Sequence, residues 1–186
     1  MFILYAIPIG IAAGYLLGGR LERLGDLRFC WGGLALAGLL VQVLLFSGPV
    51  ASAIGAAGPA VYVASTAAVL LAVLRNIRIP GLPLVAAGAA ANLAAIAANG
   101  GVMPAAPEAV AGLGPAPEGF SNSVVMADPA LRPLTDIFVL PAWLPFANVF
   151  SLGDVLIGLG VVVVIALGMR AGRGAGTLVR GGTSPD

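Results

Sequence analysis

The residues best suited to chemistry in this chain are two carboxylates, Asp136 and Asp154, eighteen positions apart with Pro141 and Pro145 between them. A proline-broken connection of that length lets both acids meet in one place. Two carboxylates sharing a proton can activate water for attack on an amide, one as base and the other as acid. Arg132 offers a competing partner for Asp136, and an acid neutralised in that way has no catalytic part. Asp154 also follows Ser151 by three residues in Asn148-Val149-Phe150-Ser151-Leu152-Gly153-Asp154. That is the spacing of a capping box, with an acid favoured by the positive end of a helix, so a structural role for both residues stands beside the catalytic one.

The other polar material clusters nearby. Asn99-Gly100-Gly101-Val102-Met103-Pro104 reads as a helix stop, because an Asn-Gly-Gly run supplies left-handed backbone and Pro104 prevents resumption. Asn99, Gly100 and Gly101, together with Asn122 of Ser121-Asn122-Ser123, Asn148 and Ser151, are the candidates for lining a polar binding site. No cofactor or metal site is expected: the chain has no histidine and a single cysteine, Cys30, which also excludes an internal disulfide. A formal charge of +1 provides no basic face for nucleic acid, and there is neither a P-loop nor a dinucleotide fingerprint to hold a nucleotide.

The elements that would position these residues belong to a membrane protein. Only 9% of the 186 residues are charged, against roughly a quarter in a soluble domain, and the mean hydropathy is +1.05. Apolar stretches run over 2–19, 30–48, 57–74, 79–98 and 147–169. At about 1.5 Å per residue each reaches roughly 27 to 35 Å, enough for a hydrocarbon core of about 30 Å. The fold class expected is therefore all-α: a compact bundle of five transmembrane helices, with a long proline-rich outer loop at 99–146. The arginines support that count. Arg20, Arg23, Arg28, Arg75, Arg78, Arg170, Arg173 and Arg180 all fall on one side of a five-span chain, which places the N-terminus outside and the C-terminus inside.

Gly10, Gly14 and Gly18 recur every fourth residue in the first span, a stripe suited to close helix packing. Without a basic segment before it, that span is expected to stay in the membrane rather than act as a cleaved signal. Gln42, at mid-span, should bond to a neighbouring helix. Residues 105–120 read as a mobile outer loop. The segment from Pro129 to Pro145 reads as a lid over the helix ends, with Phe138, Trp143, Phe146 and Phe150 at the level of an interfacial aromatic belt. Residues 171–186 read as a flexible cytoplasmic tail.

Three segments carry a resemblance: Asn99-Gly-Gly-Val-Met-Pro104, Leu134-Thr-Asp-Ile-Phe138 and Val149-Phe-Ser-Leu-Gly-Asp-Val-Leu-Ile157. They resemble the hallmark segments of a bacterial multi-pass membrane family known as domain of unknown function 5317, with Thr135 standing where a glycine is expected before the aspartate. That likeness implies a bacterial cytoplasmic (inner) membrane protein and no particular activity. A more distant likeness is to lipoprotein signal peptidase. Phe150-Ser-Leu-Gly-Asp154 is similar to the segment opening that family's last span, while Ala91-Asn92-Leu93 echoes its other motif without the aspartate, leaving Asp136 to serve from a loop.

Three functions follow as expectations. The first is an outward-facing polar site that binds a lipid, a peptide or a membrane protein partner. The second is an intramembrane aspartyl hydrolase using Asp136 and Asp154. The third is a small transporter or channel subunit, for which Gln42, Asn92, Ser65 and Thr66 form a thin lining.

Overall fold

In a computed structural model, residues 2–111, 113 and 123–171 are described. Asn122 and the tail from 172 onward lie outside them, as do residues 112 and 114–121 of the outer loop.

The described chain is mostly helical. After a 3-10 turn at Phe2–Tyr5 come α1 (Ala6–Leu16), α2 (Gly32–Leu45), the short α3 (Gly48–Ala53), α4 (Gly58–Arg75) and α5 (Leu82–Ala98). The cap segment then holds β1 (Met103–Ala105), the single turn α6 (Pro107–Val110), β2 (Ser123–Val125), β3 (Phe138–Val139) and β4 (Val149–Phe150), and α7 (Leu152–Gly168) closes the series. The segment expected to be a loop is thus partly a small folded cap.

Most of the helices are shorter than the apolar stretches that contain them, for local reasons. Gly18 adopts φ +75° and ends α1, with Gly18 N–H on Tyr15 C=O and Gly19 N–H on Gly14 C=O, the paired bonds of a glycine C-cap. Gly81, at φ +94°, starts α5 three residues late. The apolar run before Ser151 is extended, because Val149 and Phe150 pair with Val139 and Phe138. One helix, Gly55–Arg75, is long and apolar enough to cross a membrane; Phe2–Leu16, Gly32–Leu45, Leu82–Ala98 and Leu152–Gly168 are shorter apolar helices.

The principal helix contacts run in the order α1, α7, α5, α4, α2. This is an open row, where a compact bundle was expected. Glycines set the closest approaches. Gly81 and Gly88 of the α5 side meet Gly160 and Gly153 of α7, each against the other's backbone carbonyl, so these helices run antiparallel. Gly10 and Gly14 of α1 face Ile165 and Met169, which makes α1 parallel to α7. Gly38 of α2 lies on Ser65 and Val69 of α4, and Gln42 Nε2–H donates to Thr66 Oγ1 at 3.3 Å between the same two helices. Asn76 fastens the other end of that pair: its Oδ1 accepts from Cys30 N–H and its Nδ2 donates to Cys30 C=O and Ala72 C=O, each at 2.7 Å.

These directions sort the chain's charge. Arg20, Arg23, Arg28, Arg75, Arg78 and Arg170 gather at one end of the row, where Arg20 N–H bonds Met169 C=O and Arg23 bonds Arg170 C=O. The cap, α3 and Phe2 lie at the other. Two apolar clusters hold the row. Leu45, Tyr62, Ala95, Ile96 and Met103 form one beneath the cap, and Val73, Leu82 and Ala86 form one toward the arginines. The outward faces stay apolar and open: Leu36 is 69% exposed, Val43 68% and Leu16 87%.

Candidate functional site

The cap is organised around β1. Met103, Pro104 and Ala105 run parallel to Ser123, Val124 and Val125, and Ala105 bridges to Asp136 on the other side. Asp136 N–H donates to Pro104 C=O at 2.9 Å and its own C=O accepts from Ala106 N–H at 3.0 Å. The backbone pairing therefore delivers the Asp136 side chain into the cap, where the residue is only 4% exposed. Its Oδ2 accepts from Ser123 Oγ–H at 2.6 Å, so its partner is Ser123, while Arg132 is exposed. Burial pushes the Asp136 carboxyl up to about 6; the Ser123 hydrogen bond pulls the other way, and the charge of Asp154 raises it further. Near neutral pH this acid can hold or release a proton.

Asp154 sits below, in the first turn of α7. The capping box expected from the spacing is present: Asp154 N–H donates to Ser151 Oγ at 3.0 Å, and Ser151 N–H donates to Asp154 Oδ2 at 3.1 Å. The box also reaches into α5. Asn92 Nδ2–H donates to Asp154 Oδ1 at 2.8 Å, and Ser151 Oγ–H donates to Asn92 Oδ1 at 2.8 Å. Ser151 is fully buried. Gly153 makes this possible by leaving the space that the Asn92 amide fills.

Tyr62, buried on α4 and edge-on to Phe46 at 5.0 Å, lies within electrostatic reach of both Asp136 and Asp154. The two acids, in the cap and in α7, and this ring, on α4, thus bear on one another electrostatically. Sequence reasoning missed Tyr62, and it read Asn92 as a thin lining residue and as part of a motif echo, without a partner in α7. The available signal was an amide and a phenol inside otherwise apolar helices, where unpaired polar groups are costly and mark a partner.

The remaining candidates are placed differently. Asn99 clamps the cap to α5: its Nδ2 donates to Ala95 C=O and Ala130 C=O, and its Oδ1 accepts from Ala130 N–H at 2.8 Å. Gly100 and Gly101, at φ +74° and +84°, reverse the chain, and Gly101 is pressed onto Pro59. Both glycines, with Pro59, Ala60, Val63 and Ala64, line an open apolar groove of about 360 Å³. Asn148 bonds Val149 C=O from Nδ2 at 2.6 Å, while its buried Oδ1 has no hydrogen-bond partner among the described residues. Among the described residues no group of three or more His, Cys, Asp or Glu side chains is placed to hold a metal.

The match to known families covers residues 26–166, and its description is "Family of unknown function (DUF5317)". The chain belongs to that family. No curated protein and no solved structure matches it.

Proposed function

We propose that this family member is a multi-pass protein of the bacterial cytoplasmic membrane, with its arginine end inside. Its outward end binds a lipid or peptide at the polar site formed by Asp136, Asp154, Asn92, Ser151 and Tyr62. The observation that carries this reading is the buried polar network of Asn92, Ser151 and Asp154 under a cap that buries Asp136 against Ser123, at the end of the helix row that lacks the arginine cluster. The apolar outer faces supply independent support. Side chains such as Leu36, Val43 and Leu16, exposed along a single-layer row, need a non-aqueous surround. Five helices running in alternating sense along α1–α2–α4–α5–α7 suit five crossings, the shorter ones meeting the lipid margin through their flanking turns.

A lipid suits the surroundings of the site well. The groove beside Gly100 and Gly101 is apolar, open and walled by small residues, so an acyl chain fits it. The test is lipid retention by the purified protein. Native mass spectrometry in mild detergent should show co-purified lipid on the wild type and reduced occupancy on folded Asp136→Asn and Asp154→Asn variants. Unchanged occupancy of lipid and peptide in both variants would remove this reading.

One observation favours a second reading, an aspartyl hydrolase. Asp136 is buried in the cap with its carboxyl raised to about 6, chiefly by burial, so it can take up or release a proton near neutral pH as a catalytic acid must. That reading expects either asparagine variant to lose turnover of a membrane peptide substrate while keeping its fold.

A further inference from the structure

Residues 137–153 contain no charged side chain, and Asp136 and Asp154 bracket them. Most of this stretch is the β3–β4 hairpin and its tip. Phe138 pairs with Phe150 and Val139 with Val149, Leu140 N–H donates to Asn148 C=O at 2.8 Å, and Leu144 N–H donates to Pro141 C=O at 3.0 Å. Pro141 and Pro145 have no N–H to satisfy. The hairpin is fastened to the start of the chain. Phe2 stacks on Phe150 at 4.3 Å, Phe138 lies 5.5 Å from the same ring, and Tyr5 O–H donates to Pro145 C=O. Its tip, in contrast, presents Trp143 at 79% and Phe146 at 64% exposure.

We infer that this tip is an anchor seated in the headgroup layer of the outer leaflet, with Trp143 and Phe146 as its membrane contacts, and that it does not close over the polar site. The inference rests on the membrane reading above. Uncharged backbone with internal hydrogen bonds or prolines suits a region poor in water, and amphipathic or large rings concentrate where hydrocarbon meets headgroups. The chain has two tryptophans. The other, Trp31, is 56% exposed beside Cys30 at the arginine end. The pair thus brackets the apolar row, one ring at each end, with the 21-residue helix Gly55–Arg75 spanning about 31 Å between those levels. The hairpin's attachment to Phe2 and Tyr5 fixes the outer ring's height relative to α1. A lipid surface fits these features without a matching concave partner.

The two tryptophans also supply the test. The full chain is placed in phosphatidylcholine vesicles carrying bromine either high or low on the acyl chains, using Trp31→Phe to isolate Trp143 and Trp143→Phe to isolate Trp31. If Trp31→Phe does not fold, the wild-type signal minus that of Trp143→Phe gives the Trp143 contribution. The expected result is Trp143 emission quenched about twofold more by high than by low bromines, with little quenching by aqueous iodide. Iodide quenching of Trp143 without bromolipid quenching, while Trp31 responds to bromolipid, overturns the anchor and leaves the membrane reading intact. Shielding of Trp143 from both quenchers also overturns it and points to a protein contact. Failure of both tryptophans to respond to bromolipid rejects the membrane reading itself.

Discussion

Asn92 on α5 and Asp154 on α7, 62 positions apart in sequence, are joined by a 2.8 Å hydrogen bond across a contact in which Gly88 and Gly153 meet. The bond depends on Gly153, because a β-carbon there would overlap Asn92 Oδ1 and fall 2.7 Å from Gly88 C=O. The polar site and the glycine packing are therefore one feature.

Gly153→Ala should displace the Asn92 amide and part the helices. Overpacking of this kind costs about 1–3 kcal/mol, and the loss should appear as a lower melting temperature in detergent. Asn92→Ala should cost a similar amount by leaving Ser151 and Asp154 short of a partner. Because both changes break the same contact, the double variant should lose less than the two single losses combined. Full additivity would show that Gly153 and Asn92 act separately.

Asp136 makes cap stability depend on pH, with a definite sign. Its folded-state value of about 6 lies above the ordinary 3.8, so the folded cap holds the proton more tightly than the unfolded chain. The stabilisation is complete below 3.8 and is lost as pH rises through 6, an effect on the order of 3 kcal/mol for full linkage. Wild-type melting should fall relative to Asp136→Asn across that window. Ser123→Ala should move the inflection to higher pH by removing the bond that favours the charged acid, and Asp154→Asn should move it to lower pH by removing a like charge. Parallel melting curves for wild type and Asp136→Asn would refute the linkage.

Asn76→Ala should free the start of α2, since Asn76 bonds both the N–H and the C=O of Cys30. Hydrogen exchange at the Cys30 amide should accelerate, and stability should drop by about 0.5–1.5 kcal/mol for each hydrogen bond lost at this part-buried position. An unchanged exchange rate would mean that the α2–α4 contact at Gly38 suffices.

The sequence made some of this legible and hid the rest for physical reasons. The capping box at Ser151 and Asp154 was readable because it is local, with both partners within three residues. The turn at Gly100 and Gly101 was readable because left-handed backbone selects glycine. Gln42 was readable as a helix-to-helix donor because an apolar span leaves an amide little else. Asn92 was not, since its partners come from a helix whose register against α5 depends on Gly88 and Gly153 meeting, and no local pattern encodes that. The parallel pairing of Met103–Ala105 with Ser123–Val125 was hidden as well, because three residues are too few to show a strand period. Hydropathy also overran the helix ends: Val149 and Phe150 are as apolar as α7 but belong to a hairpin.

The most direct test of the central claim, a membrane-crossing row with its arginines inside and its acid-bearing cap outside, is thiol labelling in intact cells. Cys30 is the natural probe at the arginine end, and Ala127→Cys in a Cys30→Ser background probes an exposed position in the cap. With a membrane-impermeant maleimide, Ala127→Cys should label at once, while Cys30 should label only after the membrane is permeabilised. Labelling of Cys30 from outside, or protection of residue 127 until permeabilisation, would contradict the account.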